Sequence, residues 1–176
     1  MTEVTFLGRG GQGAFTTSRI LGAAASLYEN KFALSFPSFG PERRGAPVFA
    51  YTKIDTVPIR NRSQCEYSDY IVVLDESLYD ENLHKKLKPH GKIILNTPKE
   101  KSSPDIICFD ATKVAQEYLG TAITNTAMLS VLVANTGLVS KDSLLAAIKY
   151  DMPLRIASKN QKLAQYIFTL TKGVGL

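Results

Sequence analysis

The chain opens with a short apolar, β-prone run, Val4-Thr5-Phe6-Leu7, that meets a cluster of glycines at once. A continuous run of that kind, bounded by turn residues, predicts a strand buried on both faces. From 14 to 28 the apolar residues Phe15, Ile20, Leu21, Ala24 and Leu27 recur at the spacing of one helical face. Residues 31–36 predict a second strand, 48–54 a third by their alternation, and 58–60 a short further one. Tyr70-Ile71-Val72-Val73-Leu74 is the clearest buried strand. Residues 76–87 predict a helix ended by Pro89 and Gly91, and strands follow at 92–95 and 106–109. The tail changes character: 124–136, 141–150 and 158–172 predict helices, with Ser140 as N-cap of the middle one and Gly173 as the stop of the last. Near-continuous apolar strands followed by helices imply an α/β fold with a largely parallel sheet, helices on both faces and a helical C-terminal section on one side. Residues 1–176 are expected to form a single domain.

Composition narrows the class. An apolar fraction of 44% supplies a core, and the 21% of charged residues mix both signs, which excludes global disorder. A net charge of +5 favours anionic partners such as phosphates, carboxylates or an acidic protein surface. No run of five Lys/Arg and no nucleic-acid-binding motif occurs, so nucleic acid is not expected as a partner. The two cysteines, Cys65 and Cys108, lie far apart without a CxxC, which argues against a zinc or iron–sulfur site built by this chain and for buried thiols in a reducing cytosol. No stretch reaches the roughly 18 apolar residues of a membrane span, and Met1-Thr2-Glu3 leads straight into the first strand without a signal peptide. A soluble, cytoplasmic protein is expected.

The strongest local pattern is Gly8-Arg9-Gly10-Gly11-Gln12-Gly13, which holds G-x-G-x-x-G in the register Gly8, Gly10, Gly13 between a strand and a helix. Glycine is required there for steric reasons: the turn is tight, and a ligand or neighbouring backbone comes close. The helix start adds unpaired N–H groups and a partial positive charge, and Arg9 a full one. A dinucleotide site would need an Asp or Glu about 20 residues on, at the end of the second strand; that strand ends at Ser35-Phe36-Pro37, and Glu29 precedes it. The Walker pattern fails as well, for want of a following Gly-Lys-Ser/Thr. Two readings stand: an anion or part of a larger cofactor at the turn, or a structural turn packed against a partner.

The segment from Phe36 to Pro47 holds Pro37, Pro41, Pro47, Gly40 and Gly45 around Glu42, Arg43 and Arg44. Proline lowers the entropy cost of presenting side chains, and paired arginines grip carboxylates and phosphates with two-point contacts. This loop follows the second strand and the glycine turn the first, so both are expected at the carboxyl end of the sheet, where ligands gather. Arg60 and Arg62 add charge nearby and read equally well as surface. No Ser/His/Asp or Cys/His set is present; His84 and His90, beside Lys85, Lys86 and Lys88, read as solvated surface. Asp75, after the apolar strand, reads as a helix cap. The residues by themselves support a phosphate- or partner-binding α/β domain, and the turn alone would allow a free-standing nucleotide-binding module.

Together, the glycine turn and Phe36-Pro37-Ser38-Phe39-Gly40-Pro41-Glu42-Arg43-Arg44-Gly45-Ala46-Pro47-Val48 closely resemble the gamma subunit of 2-oxoacid:ferredoxin oxidoreductases, pyruvate group. The likeness continues through Ile59-Arg60, Arg62-Ser63, Val72-Val73-Leu74-Asp75 with Leu78, Gly91 to Asn96, and Asn125-Thr126-Ala127-Met128-Leu129 at the turn into a C-terminal helix. Ser130 stands where many relatives carry Gly. The resemblance implies a Rossmann-like α/β fold and a non-catalytic subunit of a complex that converts pyruvate and CoA to acetyl-CoA, CO2 and reduced ferredoxin. It implies that thiamine diphosphate and iron–sulfur clusters sit in alpha-, beta- and delta-type partner subunits, that ferredoxin meets the complex, and that CoA is a co-substrate. It implies a binding or interface role for Gly8, Arg9, Gly10, Gly11, Gln12 and Gly13 and for Pro41, Glu42, Arg43, Arg44 and Gly45. A branched-chain 2-oxoacid enzyme has a similar loop, a 2-oxoglutarate enzyme usually departs from it, and self-association is open to an isolated copy.

Overall fold

The structure, a computed structural model, describes residues 1–38 and 45–171. Six strands, β1 (Thr2–Arg9), β2 (Phe32–Pro37), β3 (Pro47–Asp55), β4 (Ser68–Val73), β5 (Leu87–Asn96) and β6 (Ile106–Phe109), form one sheet in the order β2-β3-β1-β4-β5-β6. Five helices accompany them: α1 (Ala14–Tyr28), α2 (Ala111–Leu119), α3 (Asn125–Thr136), α4 (Lys141–Asp151) and α5 (Leu154–Thr171). β1, β4, β5 and β6 pair in parallel, while β3 runs antiparallel to both β1 and β2. The reversal has a simple cause. Pro37 and Pro47 are joined by a connection shorter than the roughly a dozen residues a parallel crossover needs, so β3 folds back on β2. β2 keeps the direction of β1 but is separated from it by β3.

Alternation along the strands divides the core in two. Val4, Phe6, Val72 and Ile94 face the α-helices, and Leu7, Ile71, Val73, Ile93 and Leu95 face the other way. Both faces are apolar, which is why these strands read as continuous apolar runs. Helices do lie on both faces, but unequally. All five α-helices pack on the first face, with α1 and α3 against the sheet and α4 and α5 outside them. Two short 3-10 turns, Glu76–Leu78 and Glu81–Lys86, lie on the other, where Leu83 plugs the second core. α3 is buried from Asn125 to Val133.

Several local expectations change. The helix expected at 76–87 is the pair of 3-10 turns, because Asp75 and Asp80 each cap a separate start, and Leu83 is the one buried side chain of the two turns. Leu87 already begins β5. Pro89 and Gly91 lie within that strand, at a register irregularity against β4 that also holds His90 with φ 67°. Residues 58–60 form no strand. α2 was not foreseen, although its ends carry good signals: Asp110 accepts from the Lys113 N–H, and Gly120 closes the helix at φ 73°. Ser140 caps α4 as expected, accepting from the Ser143 N–H. Gly173 lies outside the described residues.

At the amino end of β1 the sheet carries a chain of charges. The fully buried Lys53 Nζ sits 3.1 Å from Glu3 Oε1, and Lys88 Nζ sits 2.9 Å from Glu3 Oε2 and 2.8 Å from Asp69 Oδ2. Lys53 is close enough to Glu3 for an ion pair but poorly directed for a hydrogen bond, so Glu3 is its charge partner rather than a full complement of acceptors. Burial, and next the adjacent Glu3 carboxylate, push the Cys65 thiol up to about 12. Both cysteines are partly exposed rather than buried, but a thiol held that far above neutrality stays protonated and unreactive. No helix among the described residues is long and apolar enough to cross a membrane.

Candidate functional site

β1 ends at Arg9, and the chain turns through Gly10, Gly11 and Gln12 into α1. Gly13 holds the N-cap position in the left-handed region (φ 82°), where a side chain is disfavoured. A Cβ on Gly13 would also lie 2.6 Å from Asn125 Nδ2, so the first residue of α3 rests directly on this glycine. Gly11 is the contrasting case. It has φ 93° and is exposed, and a Cβ there would meet nothing within 4 Å. Gly45 is likewise open, at φ 83°. Both glycines therefore leave room for another molecule to approach the backbone closely.

The turn and the returning chain are brought together as expected. The Gly10 N–H donates to the Ala46 carbonyl at 2.9 Å, and Arg9 Nη1 donates to the Gly45 carbonyl at 2.9 Å. Gly8 pairs with Val48 within the β1–β3 ladder. Pro41, Glu42, Arg43 and Arg44 lie outside the described residues.

The side chains within the turn are largely committed to the protein itself. Arg9 Nη2 donates to Ser77 Oγ at 2.8 Å, and its Nε lies 3.3 Å from Asp75 Oδ2. Gln12 Oε1 accepts from the Arg9 N–H at 2.7 Å, while its Nε2 donates to Asp75 Oδ2 at 3.0 Å. Asp75 does cap the following 3-10 turn, accepting from the Ser77 N–H at 3.0 Å. It is also the anchor that holds Arg9 and Gln12. The positive charge expected to await a ligand is thus spent on clamping the ends of β1 and β4 to Gly45. Ser77 went unrecognised in the sequence, where a lone serine carries no signal.

Next to this clamp, Asn96 at the end of β5 donates to the Leu74 carbonyl at 2.9 Å and accepts from the Ala111 N–H at 3.0 Å. Strand ends and helix starts are thereby fixed into one rigid edge. The G-x-G-x-x-G pattern is nonetheless not a dinucleotide crevice. In that fold the strand after the first helix lies beside the first strand and brings an acid to the ribose; here β3 intervenes, and β2 ends in Ser35-Phe36-Pro37. No cluster of three His, Cys, Asp or Glu side chains suited to a metal occurs among the described residues.

The electrostatics of these anchors set an acid limit. Burial would raise the Asp75 carboxyl, but hydrogen bonds from Ser77 and Gln12 and the Arg9 charge outweigh it and hold it below the ordinary 3.8. Burial is likewise overcome at Glu3 by Lys88 and Lys53, and at Glu29 by Lys31 and the Ser140 N–H, so both stay below the ordinary 4.5. A carboxyl depressed in the folded state stabilises it fully above its unfolded-state value and loses that contribution as pH falls through the folded value. The urea midpoint should hold steady down to about pH 5 and decline below it. Asp75→Asn should make that decline shallower, and a decline of unchanged steepness would exclude Asp75 as a contributor.

Residues 3–170 match the model of the family described as pyruvate ferredoxin/flavodoxin oxidoreductase. Pyruvate synthase subunit PorC of Methanothermobacter marburgensis is 46% identical over 99% of this chain and 100% of its own length. The pyruvate/ketoisovalerate oxidoreductases common subunit gamma of Thermococcus kodakarensis is 44% identical, with 97% of each chain covered. Among solved structures, pyruvate oxidoreductase subunit PORC of Thermotoga maritima superposes with a TM-score of 0.82 at 29% identity, over 96% of this chain and 95% of that one.

Proposed function

The chain belongs to the pyruvate ferredoxin/flavodoxin oxidoreductase family, and on that premise we propose that it is the gamma subunit of a complex that oxidatively decarboxylates pyruvate with CoA to acetyl-CoA, CO2 and reduced ferredoxin. The observation that carries this reading is likeness to pyruvate synthase subunits over nearly the entire chain. In this reading the chain performs no chemistry. Thiamine diphosphate and the iron–sulfur clusters belong to alpha-, beta- and delta-type subunits, and the complex works in the cytoplasm. The chain supplies a rigid edge at the carboxyl end of its sheet, where the backbone at Gly11 and Gly45 is open to close approach.

Gly8, Arg9, Gly10, Gly11, Gln12 and Gly13 and the segment Pro41, Glu42, Arg43, Arg44 and Gly45 then form one contact region for CoA or for the neighbouring subunit. Within it the duties differ. Arg9 and Gln12 hold the turn in shape through Asp75, which leaves Arg43 and Arg44 as the cations for an incoming phosphate or carboxylate. The Thermococcus relative is named as a subunit common to a pyruvate and a ketoisovalerate enzyme. That name supports a second reading, in which this chain also serves a branched-chain 2-oxo acid enzyme and the choice of acid is made by other subunits.

Native purification of the tagged chain from its anaerobically grown host tests the reading. Partner subunits should co-elute, with CoA-dependent viologen reduction on pyruvate, 2-oxoisovalerate, or both. A lone chain inactive on every 2-oxo acid would point instead to a free-standing binding module. In the active complex, replacing both Arg43 and Arg44 by Ala should raise the apparent KM for CoA about tenfold or more, as expected for lost two-point contacts to phosphate. A complex with unchanged KM, kcat and composition would rule the two arginines out of the site.

A further inference from the structure

A second recess lies beside the glycine turn and plays no part in the clamp. It is a groove of about 590 Å³ between the end of α2, the start of α3 and the α4–α5 corner. Leu119, Ile123, Met152, Pro153 and Ile156 make its apolar lining, and Arg155 and Lys159 are its charged residues. Asn125, the residue that rests on Gly13, lies in its wall, so groove and turn are contiguous.

Three observations define what would fill it. The groove has no carboxylate in its lining, and α5 carries Arg155, Lys159 and Lys162 with no acidic residue at all. Asp151, which immediately precedes the lining residue Met152, is already held by Arg19 through two hydrogen bonds of 2.8 and 3.0 Å. Apolar side chains are also exposed at and beside the groove: Ile123 and Ile156 of its lining are more than half exposed, and Leu154 and Tyr150, on either side of Met152 and Pro153 in the chain, are 70% and 69% exposed. A small anion would leave those outer side chains in water, whereas a polypeptide would cover them along with the groove.

We propose that this groove docks a segment of a partner subunit, one that presents one or two large apolar side chains flanked by Asp or Glu. The inference rests on the reading of this chain as one subunit of a complex. Its chemistry is that of an ordinary interface: apolar anchors fill the recess, and the acidic flank meets Arg155 and Lys159 at the rim. The segment would end near Asn125, next to the glycine turn, so that one partner could engage both features.

The test uses the intact complex. Ile156→Glu places a carboxylate in the apolar lining, and the double variant Arg155→Glu/Lys159→Glu reverses the rim. Each should reduce recovery of partner subunits on a tagged chain about tenfold or more, while the isolated variant melts like the wild type. On the wild-type protein, hydrogen exchange should show amides at 119–125 and 152–160 slowed about tenfold or more in the complex relative to the free chain. That measurement decides the matter if a variant fails to fold. A wild type that recovers partners while both variants recover them equally well, with no slowing of exchange in the groove, overturns this proposal and leaves the subunit reading intact. Slowing of the same amides by CoA alone on the free chain also overturns it, in favour of a small anionic ligand. A wild type that recovers no partner removes the subunit reading and this inference with it.

Discussion

Glu3→Gln should lower the stability of the chain by about 3–5 kcal/mol, the usual penalty for stripping a buried charge of its partner. Lys53 Nζ is fully buried, and the Glu3 carboxylate is the group that compensates its charge. Lys88 would suffer less, since Asp69 Oδ2 remains 2.8 Å away. The double variant Glu3→Gln/Lys53→Met separates the cost of an orphaned charge from the worth of the pair, because with the lysine gone as well no buried charge is left without its partner. It should recover most of the loss in urea melts. A Glu3→Gln protein within about 1 kcal/mol of wild type would mean that Lys53 finds water or another acceptor.

Gly13→Ala comes next, at roughly 2–4 kcal/mol. The left-handed backbone costs an alanine about 1 kcal/mol, and a methyl group 2.6 Å from Asn125 Nδ2 forces the buried Asn125 side chain to move, at about 1–3 kcal/mol more. Gly11→Ala is the informative control. Its backbone is just as left-handed, but its methyl meets open space, so only the first cost of about 1 kcal/mol applies. Thermal melts of the two variants should therefore differ clearly. Equal losses would show that Asn125 yields without cost.

Elements whose cause is local were legible from the chain. α1 runs over the expected 14–28 because glycines precede it and its apolar face is regular, and β6 falls at the expected 106–109. Failures trace to causes outside the local window. Two Asp caps five residues apart split a helical-looking stretch into 3-10 turns, and a short connection turned β3 against its neighbours. At the candidate site, the proximity of the glycine turn to Gly45 followed from strand order alone. The employment of Arg9 did not, because Ser77 is 68 residues away and no spacing rule links them. Asn125 entered as part of a family-like turn, and its contact with Gly13 needed the packing of α3 on α1 to become visible. Lys53 read as one polar position in an alternating strand; that it points inward depends on Glu3 meeting it across the ladder.

α3 has consequences for how the chain is made. Its inner side lies on the sheet and its outer side lies under α5, so it has no surface suited to water until α5 arrives. During synthesis α5 is the last of the helices to emerge. Until then α3 lacks its outer packing, while the sheet and α1 are already made. A released chain truncated before Leu154 should therefore expose the outer side of α3 and aggregate.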